Sequence, residues 1–162
     1  NMAGWRVGML AGRAAYLQDI LRFKSNMDSG MFYAAQMAAV EALRLAPEWY
    51  QRLNTVYYER RRSVYALLDL LDCRYDPDQV GMFVWAKVPD RYPNGYALAD
   101  EVLYKAHVFI TPGGIFGSQG DGYVRVALCS DGEIYREAIR RIEASGLLDA
   151  PVTVATDPEK AS

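Results

Sequence analysis

The sequence predicts an α/β to α+β protein, on three observations. An amphipathic helix of roughly two dozen residues starts at Pro47. A strand and two shorter helical stretches precede it. After it the pattern changes to β-α-β-β-α, the order of one small sheet with helices on one face.

Each element follows from its periodicity. Trp5 to Leu10 alternates, with Trp5, Val7 and Met9 on one side and Arg6, Gly8 and Leu10 on the other, which predicts a strand. Arg13 to Phe23 carries Leu17, Ile20 and Leu21 at helical spacing. The polar stretch Lys24 to Gly30 predicts a break before a second helix striped with Phe32, Ala35, Ala39, Val40 and Leu43. Asp28 or Ser29 is expected to cap that helix.

Pro47 suits a helix start, where its missing N–H has no partner to lose. The helix it opens carries Trp49, Leu53, Val56, Tyr57, Val64, Leu67, Leu68 and Leu71 on one stripe. At 1.5 Å per residue it reaches about 35 Å. A helix that long is expected to join two bodies rather than lie on one.

Beyond it, Met82 to Val88 predicts a strand, Asn94 a cap, and Ala97, Leu98, Val102 and Leu103 a helix. Val108 to Thr111 predicts a short strand, followed by a glycine-rich loop from Pro112 to Gly122 and a strand from Tyr123 to Cys129. Ser130 and Glu133 form the S-x-x-E pattern of a capping box. The last helix should run to Ser145 and stop at Gly146, with Arg140 and Arg141 near its negative end. Pro151 to Ser162 shows no period and reads as a flexible tail.

Composition excludes several classes. With 51% hydrophobic and 23% charged residues among 162, the chain has the balance of a globular protein. A net charge of −2, with scattered basic residues, provides no field to gather nucleic acid or anionic lipid. The run Glu59-Arg60-Arg61-Arg62 reads as a solvated helix face. No apolar stretch approaches the roughly 20 residues that span a bilayer, so no membrane segment is expected. The two cysteines, Cys73 and Cys129, lie in no CxxC or Cys/His cluster. Two reduced, mostly packed thiols in a cytoplasmic protein without a zinc site are expected. His107, the only histidine, lies between a helix and a strand and reads as a boundary residue.

Two arginines stand where strands should be apolar: Arg6 in Trp-Arg-Val-Gly-Met-Leu and Arg125 in Tyr-Val-Arg-Val-Ala-Leu-Cys. An unpaired buried guanidinium costs several kcal/mol or more, so each needs an anion. Either each pairs with a structural Asp or Glu or faces water, or both hold a small dianionic ligand through bidentate forks. The glycine-rich loop has neither the Lys-Ser/Thr of a P-loop nor the spacing GxGxxG. Tight turns leading into the Arg125 strand account for its glycines.

Asn1-Met2-Ala3-Gly4-Trp5-Arg6-Val7-Gly8 resembles the second half of a signature in class I/II aminotransferases of fold type I, the aspartate-aminotransferase-like family. There the pattern runs Ser-Lys-x-x-Asn-Met-x-Gly-Trp-Arg-x-Gly, and its lysine carries pyridoxal 5'-phosphate as a Schiff base. That lysine would fall three residues before Asn1. Lys24 to Gly30 with Phe32 and Gln36 is similar to a later family segment. Pro112 to Gly117 followed by Gly122 to Val126 is similar to the C-terminal block. The resemblance covers residues 1–146.

It implies the C-terminal portion of such an enzyme. Residues 1–46 would end the large cofactor-binding domain, 47–72 would be the connecting helix, 73–148 a small α+β domain with a mixed sheet, and 149–162 the tail. Arg6 matches the arginine that binds the cofactor phosphate, and Arg125 the one that grips the substrate α-carboxylate. The segment near Ser25, Asn26 and Ser29 would lie close to the neighbouring subunit's cofactor in a homodimer, although a capping role explains Asp28 and Ser29 equally well. The implied reaction moves an amino group between an amino acid and a 2-oxo acid. The Ser25 to Gly30 segment is similar to that of alanine, aspartate and LL-diaminopimelate aminotransferases. Lys24, Lys87 and Lys105 match none of the family's lysine contexts, so the fragment alone is expected to be inactive. The alternatives are a non-catalytic interaction module and a lyase or decarboxylase on the same scaffold.

Overall fold

A computed structural model describes residues 3–148, with the side chain of Ala3 left out. The expected tail lies outside the described residues. The chain divides into two compact units, Asn1–Arg52 and Leu53–Ser162, so the boundary falls inside the long helix.

The first unit is helical. A 3-10 turn spans Ala3–Trp5, and helices α1 (Ala14–Met27) and α2 (Tyr33–Leu43) follow. The strand expected over Trp5 to Leu10 does not form. Arg6 takes a left-handed φ of 56°, and residues 7–10 join no ladder. Alternation provides a strand's period but not its partner, and no described segment pairs with this one.

Helix α1 runs four residues past its expected end because its polar residues are satisfied within it. Ser25 Oγ and Asn26 Nδ2 donate back to the Arg22 carbonyl at 3.0 and 2.7 Å, and Lys24 pairs with Asp28 one turn on. Asp28 therefore caps the end of α1, its N–H donating to the Lys24 carbonyl at 3.2 Å, rather than the start of α2. The residue at the start of α2 is Phe32, which makes no side-chain cap bond. Ala35 is the sole buried residue of α1 and α2.

Helix α3 covers Pro47–Leu70, as the sequence predicts. Its larger part, from Leu53 on, belongs to the other unit, with β1 (Arg74–Tyr75), β2 (Phe83–Lys87), α4 (Gly95–Ala106), β3 (Thr111–Pro112), β4 (Tyr123–Ala127) and α5 (Gly132–Ala144). The sheet order is β1-β2-β4-β3, with every ladder antiparallel. The expected mixed sheet is corrected on this point. Strands β2 and β3 do run in one direction, but β4 lies between them and opposes both. β1, only two residues long, was too short to show a period.

The core lies on one face of this sheet. Val84 and Ala86 of β2 and Val124 of β4 point inward to Val64, Leu67, Leu68 and Leu71 of the α3 end, Leu98 and Val102 of α4, and Tyr135 and Ile142 of α5. Each fully buried Val, Leu or Ile contributes about 1.5–3 kcal/mol. Asn94 caps α4 as expected, its Oδ1 accepting from the Ala97 N–H at 3.0 Å. His107 closes α4 in a left-handed conformation, φ 55°, a boundary role. The Ser130–Glu133 capping box does not form. The Ser130 N–H donates to Tyr135 Oη at 3.1 Å, and Glu133 pairs with Arg136 on its own helix. Helix α5 ends at Ala144, and Gly146 follows at φ 68°. Among the described residues no helix is long and apolar enough to cross a membrane.

The arginine run on α3 is not a simple solvated face. Arg60 donates to the Leu128 carbonyl and to Asp131, both at 3.1 Å, and Arg61 donates to the Gly81 carbonyl at 3.1 Å. Arg62 pairs only with Glu59 on the same helix. The first two tie α3 to loops around the sheet, which helical spacing alone could not show. Of the two thiols expected to be mostly packed, Cys73 is buried and Cys129 is exposed.

Candidate functional site

The outer face of the sheet carries the candidate site. Residues directly opposite in an antiparallel ladder share a face. The register therefore places Phe83, Trp85, Tyr123, Arg125 and Thr111 together, away from the core. Arg125 sits mid-β4, opposite Trp85 on β2 and Thr111 on β3.

Its guanidinium carbon lies 4.2 Å from the ring centroid of Phe83 and 4.2 Å from that of Phe116. Its Nε is buried without a hydrogen-bond partner, and among the described residues no carboxylate pairs with it. Arg74 and Arg91 differ: Arg74 pairs with Asp90 and Arg91 with Asp72, each at 3.0 Å. Arg61 also has an orphaned Nε, but its fork is anchored on the Gly81 carbonyl. Arg125 thus presents its guanidinium on a half-buried, ring-lined surface. For Arg125, the structural carboxylate left open by the sequence is therefore absent among the described residues.

The glycine-rich loop places one wall of this arrangement. It folds into two 3-10 turns, Gly113–Phe116 and Ser118–Gly120, joined by Gly117 at φ 124°. A Cβ on Gly113 would stand 2.4 Å from the Gly120 carbonyl oxygen, and one on Gly120 would stand 2.2 Å from that of Gly113. The two limbs thus touch backbone to backbone, as tight turns require. Phe116, at the end of the first turn, meets the Trp85 ring edge-on at 5.5 Å.

Phe83 and Phe116 were not singled out from sequence. The alternation of Phe83 and Trp85 marked an outer face, but only the register brings that face to Arg125. A larger hollow of about 560 Å³ lies between His107–Phe109 and α5, and Arg125 does not line it.

The other expected site residues belong to the first unit. Arg6 is exposed at the end of the opening 3-10 turn. Asn26 sits in the last turn of α1 with its amide bonded to the Arg22 carbonyl. Ser29 is exposed beside Asp28, whose carboxylate accepts the Gly30 N–H at 3.3 Å and is held below the usual range by the Lys24 hydrogen bond.

The chain belongs to the aminotransferase class I and II family, whose description matches residues 1–142.

The LL-diaminopimelate aminotransferase of Moorella thermoacetica is 40% identical over 142 residues, covering 88% of this chain and 36% of that protein. The enzyme of the same name from Nitratidesulfovibrio vulgaris strain Miyazaki F is 38% identical over 142 residues, with the same coverage. Among solved structures, apo-BacF from Bacillus subtilis superposes with a TM-score of 0.72 at 35% identity, over 88% of this chain and 38% of that one. An aromatic aminotransferase from Pyrococcus horikoshii, at 24% identity and a TM-score of 0.76, shares the fold over 93% of this chain and 41% of its own. The chain thus spans little more than a third of the length of these relatives.

Proposed function

We propose that this chain is the C-terminal portion of a pyridoxal-phosphate-dependent aminotransferase that moves an amino group between an amino acid and a 2-oxo acid. The observation that carries the reading is Arg125, on the outer sheet face with an orphaned Nε and, among the described residues, no carboxylate of its own. Its planar fork matches a substrate carboxylate. The relatives named LL-diaminopimelate aminotransferase favour that branch as the substrate class.

Arg6, exposed at a turn with a phosphate-matched fork, is the described residue suited to the cofactor phosphate. The coenzyme, when bound, supplies the electron sink for a carbanion at the substrate Cα. Arg6 would hold the cofactor phosphate, and Arg125 would orient the substrate through its carboxylate. None of the described lysines suits the cofactor lysine: Lys24 pairs with Asp28 and Lys105 with Glu101, and Lys87 stands exposed on β2. We therefore infer that the chain alone is inactive, with residues 1–46 assigned to the large domain, 47–72 to its link and 73–148 to the small domain.

A cytoplasmic homodimer is the assembly we infer, with Asn26 and Ser29 near the neighbouring cofactor. Exposed Tyr16, Ile20, Leu21 and Phe23 on α1 support a covering partner surface.

The test uses the intact protein. It should take up pyridoxal phosphate with a visible absorption band that amino donors shift. Arg125→Ala should retain the band yet lower kcat/KM about a hundred-fold, as loss of one partner of a desolvated charge pair does. No coenzyme uptake, or unchanged kinetics in Arg125→Ala, overturns the reading.

A further inference from the structure

We propose that Phe83 and Phe116 are positioning residues that hold the Arg125 guanidinium flat, so that its edge receives a planar carboxylate. The inference rests on the reading of Arg125 under Proposed function.

Both ring centroids lie 4.2 Å from the same guanidinium carbon, and the two rings make no contact with each other among the described residues. Both rings therefore border the guanidinium. One wall belongs to the sheet and the other to the loop. Phe83 stands across from Ala127, whose small side chain lets Arg125 reach diagonally to the ring. Phe116 is braced by the edge of Trp85 at 5.5 Å.

No hydrogen bond and no ion pair fixes the fork among the described residues, so the rings do it. A free arginine carries about 2 kcal/mol of rotamer entropy that an incoming anion would otherwise have to freeze out. Aromatic faces restrict the guanidinium without neutralising it, because they attract a cation but cannot take its place as an anion. A structural carboxylate would do the opposite and compete with the ligand.

The walls also select by shape. With two rings beside the guanidinium carbon, the site suits a flat carboxylate meeting the N–H edge better than a bulkier tetrahedral anion. Phe83 is 38% and Phe116 49% exposed, so neither ring is simply core packing.

The experiment uses the intact, coenzyme-loaded enzyme. The variants are Phe83→Leu, Phe116→Leu, their double, Phe83→Tyr, Phe116→Tyr, Arg125→Ala, and the double Leu change in the Arg125→Ala background. The readouts are KM and kcat for the best amino donor, and the Kd of 2-methylalanine from the coenzyme spectrum. This probe has the amine and carboxylate but no Cα–H to remove.

Each Leu change should raise KM and Kd by about three- to ten-fold with kcat less affected. The Tyr variants, which keep a ring, should stay within about two-fold by the same reasoning. In the Arg125→Ala background the Leu changes should add nothing further. Equal Leu effects with and without Arg125 would show a general structural role and overturn the proposal. If Arg125→Ala weakens binding while the Leu variants stay silent, positioning falls and the reading of Arg125 stands. If Arg125→Ala itself changes nothing, both fall. Should the double Leu variant not fold, Phe116→Leu, on the exposed loop, decides the question alone.

Discussion

The Tyr92 hydroxyl donates to Glu101 Oε2 over 2.6 Å, joining the turn before α4 to the helix itself. Burial opposes ionisation of Glu101, but Lys105, 2.7 Å away, and Tyr92 outweigh it and hold the carboxyl below its usual range. Burial, then the Glu101 hydrogen bond, pushes the Tyr92 phenol up to about 12. A lowered carboxyl contributes stability that is present above its unfolded value and lost as pH falls through the folded one. A raised phenol contributes below the ordinary tyrosine value and loses that contribution as pH climbs through about 12. Tyr92→Phe should cost about 1.5–3 kcal/mol in a denaturant titration at neutral pH, as a hydrogen bond to a charged group does. It should also flatten both pH limbs. An unchanged midpoint would show that the bond contributes nothing.

Gly95 and Gly122 invite opposite outcomes from one substitution. The Gly95 N–H donates to the Asp121 carbonyl at 2.6 Å, and a Cβ there would stand 2.1 Å from the Tyr123 carbonyl oxygen. Backbone on both sides cannot yield cheaply. Gly95→Ala should destabilise by about 2–3 kcal/mol through overpacking. Gly122 has nothing within 4 Å and no left-handed φ. Gly122→Ala should be neutral or stabilise by about 0.4–1 kcal/mol by restricting the unfolded chain. Melting temperatures of the pair would check this, and equal losses would contradict it.

What the sequence showed depended on whether the controlling interaction was local. The long α3, the Asn94 cap and the Gly146 stop were legible because each is decided within one or two helical turns. The Trp5–Leu10 alternation was misleading because a strand also needs a partner. The capping box failed for a related reason: Tyr135 claims the Ser130 N–H through a contact that spacing does not rank. Arg125 stood out as a charge in an apolar strand, but its two phenylalanine walls come from β2 and a loop that only the register unites.

Arg60 separates a buried anchor from a surface ion pair. Its Nη1 donates to the Leu128 carbonyl at 3.1 Å, while its Nη2 reaches Asp131, whose side chain is 82% exposed. Arg60→Ala strands a carbonyl at the end of β4 and should cost about 1–3 kcal/mol. Asp131→Ala removes only the solvent-screened partner and should cost less than about 1 kcal/mol. Denaturant midpoints of the two variants decide it. A loss for Asp131→Ala equal to that for Arg60→Ala would mean that the ion pair, not the carbonyl bond, holds α3 to the sheet.

The two cysteines should report on unfolding separately. Cys129 is exposed and should react with a thiol reagent in the native protein. Cys73 is 6% exposed, and burial pushes its thiol from 9.0 up to about 12, so it should react only as fast as the fold opens. The folded state binds the Cys73 proton more tightly than the unfolded state does. Its contribution is therefore complete below pH 9 and is lost as pH rises from there through about 12. Cys73→Ala should reduce the alkaline loss of stability while leaving the native reaction of Cys129 unchanged. Two thiols titrating at equal rates in the native protein would mean that the α3–β1 turn around Cys73 is open to solvent, and the core assigned to this unit would then need redrawing at that end.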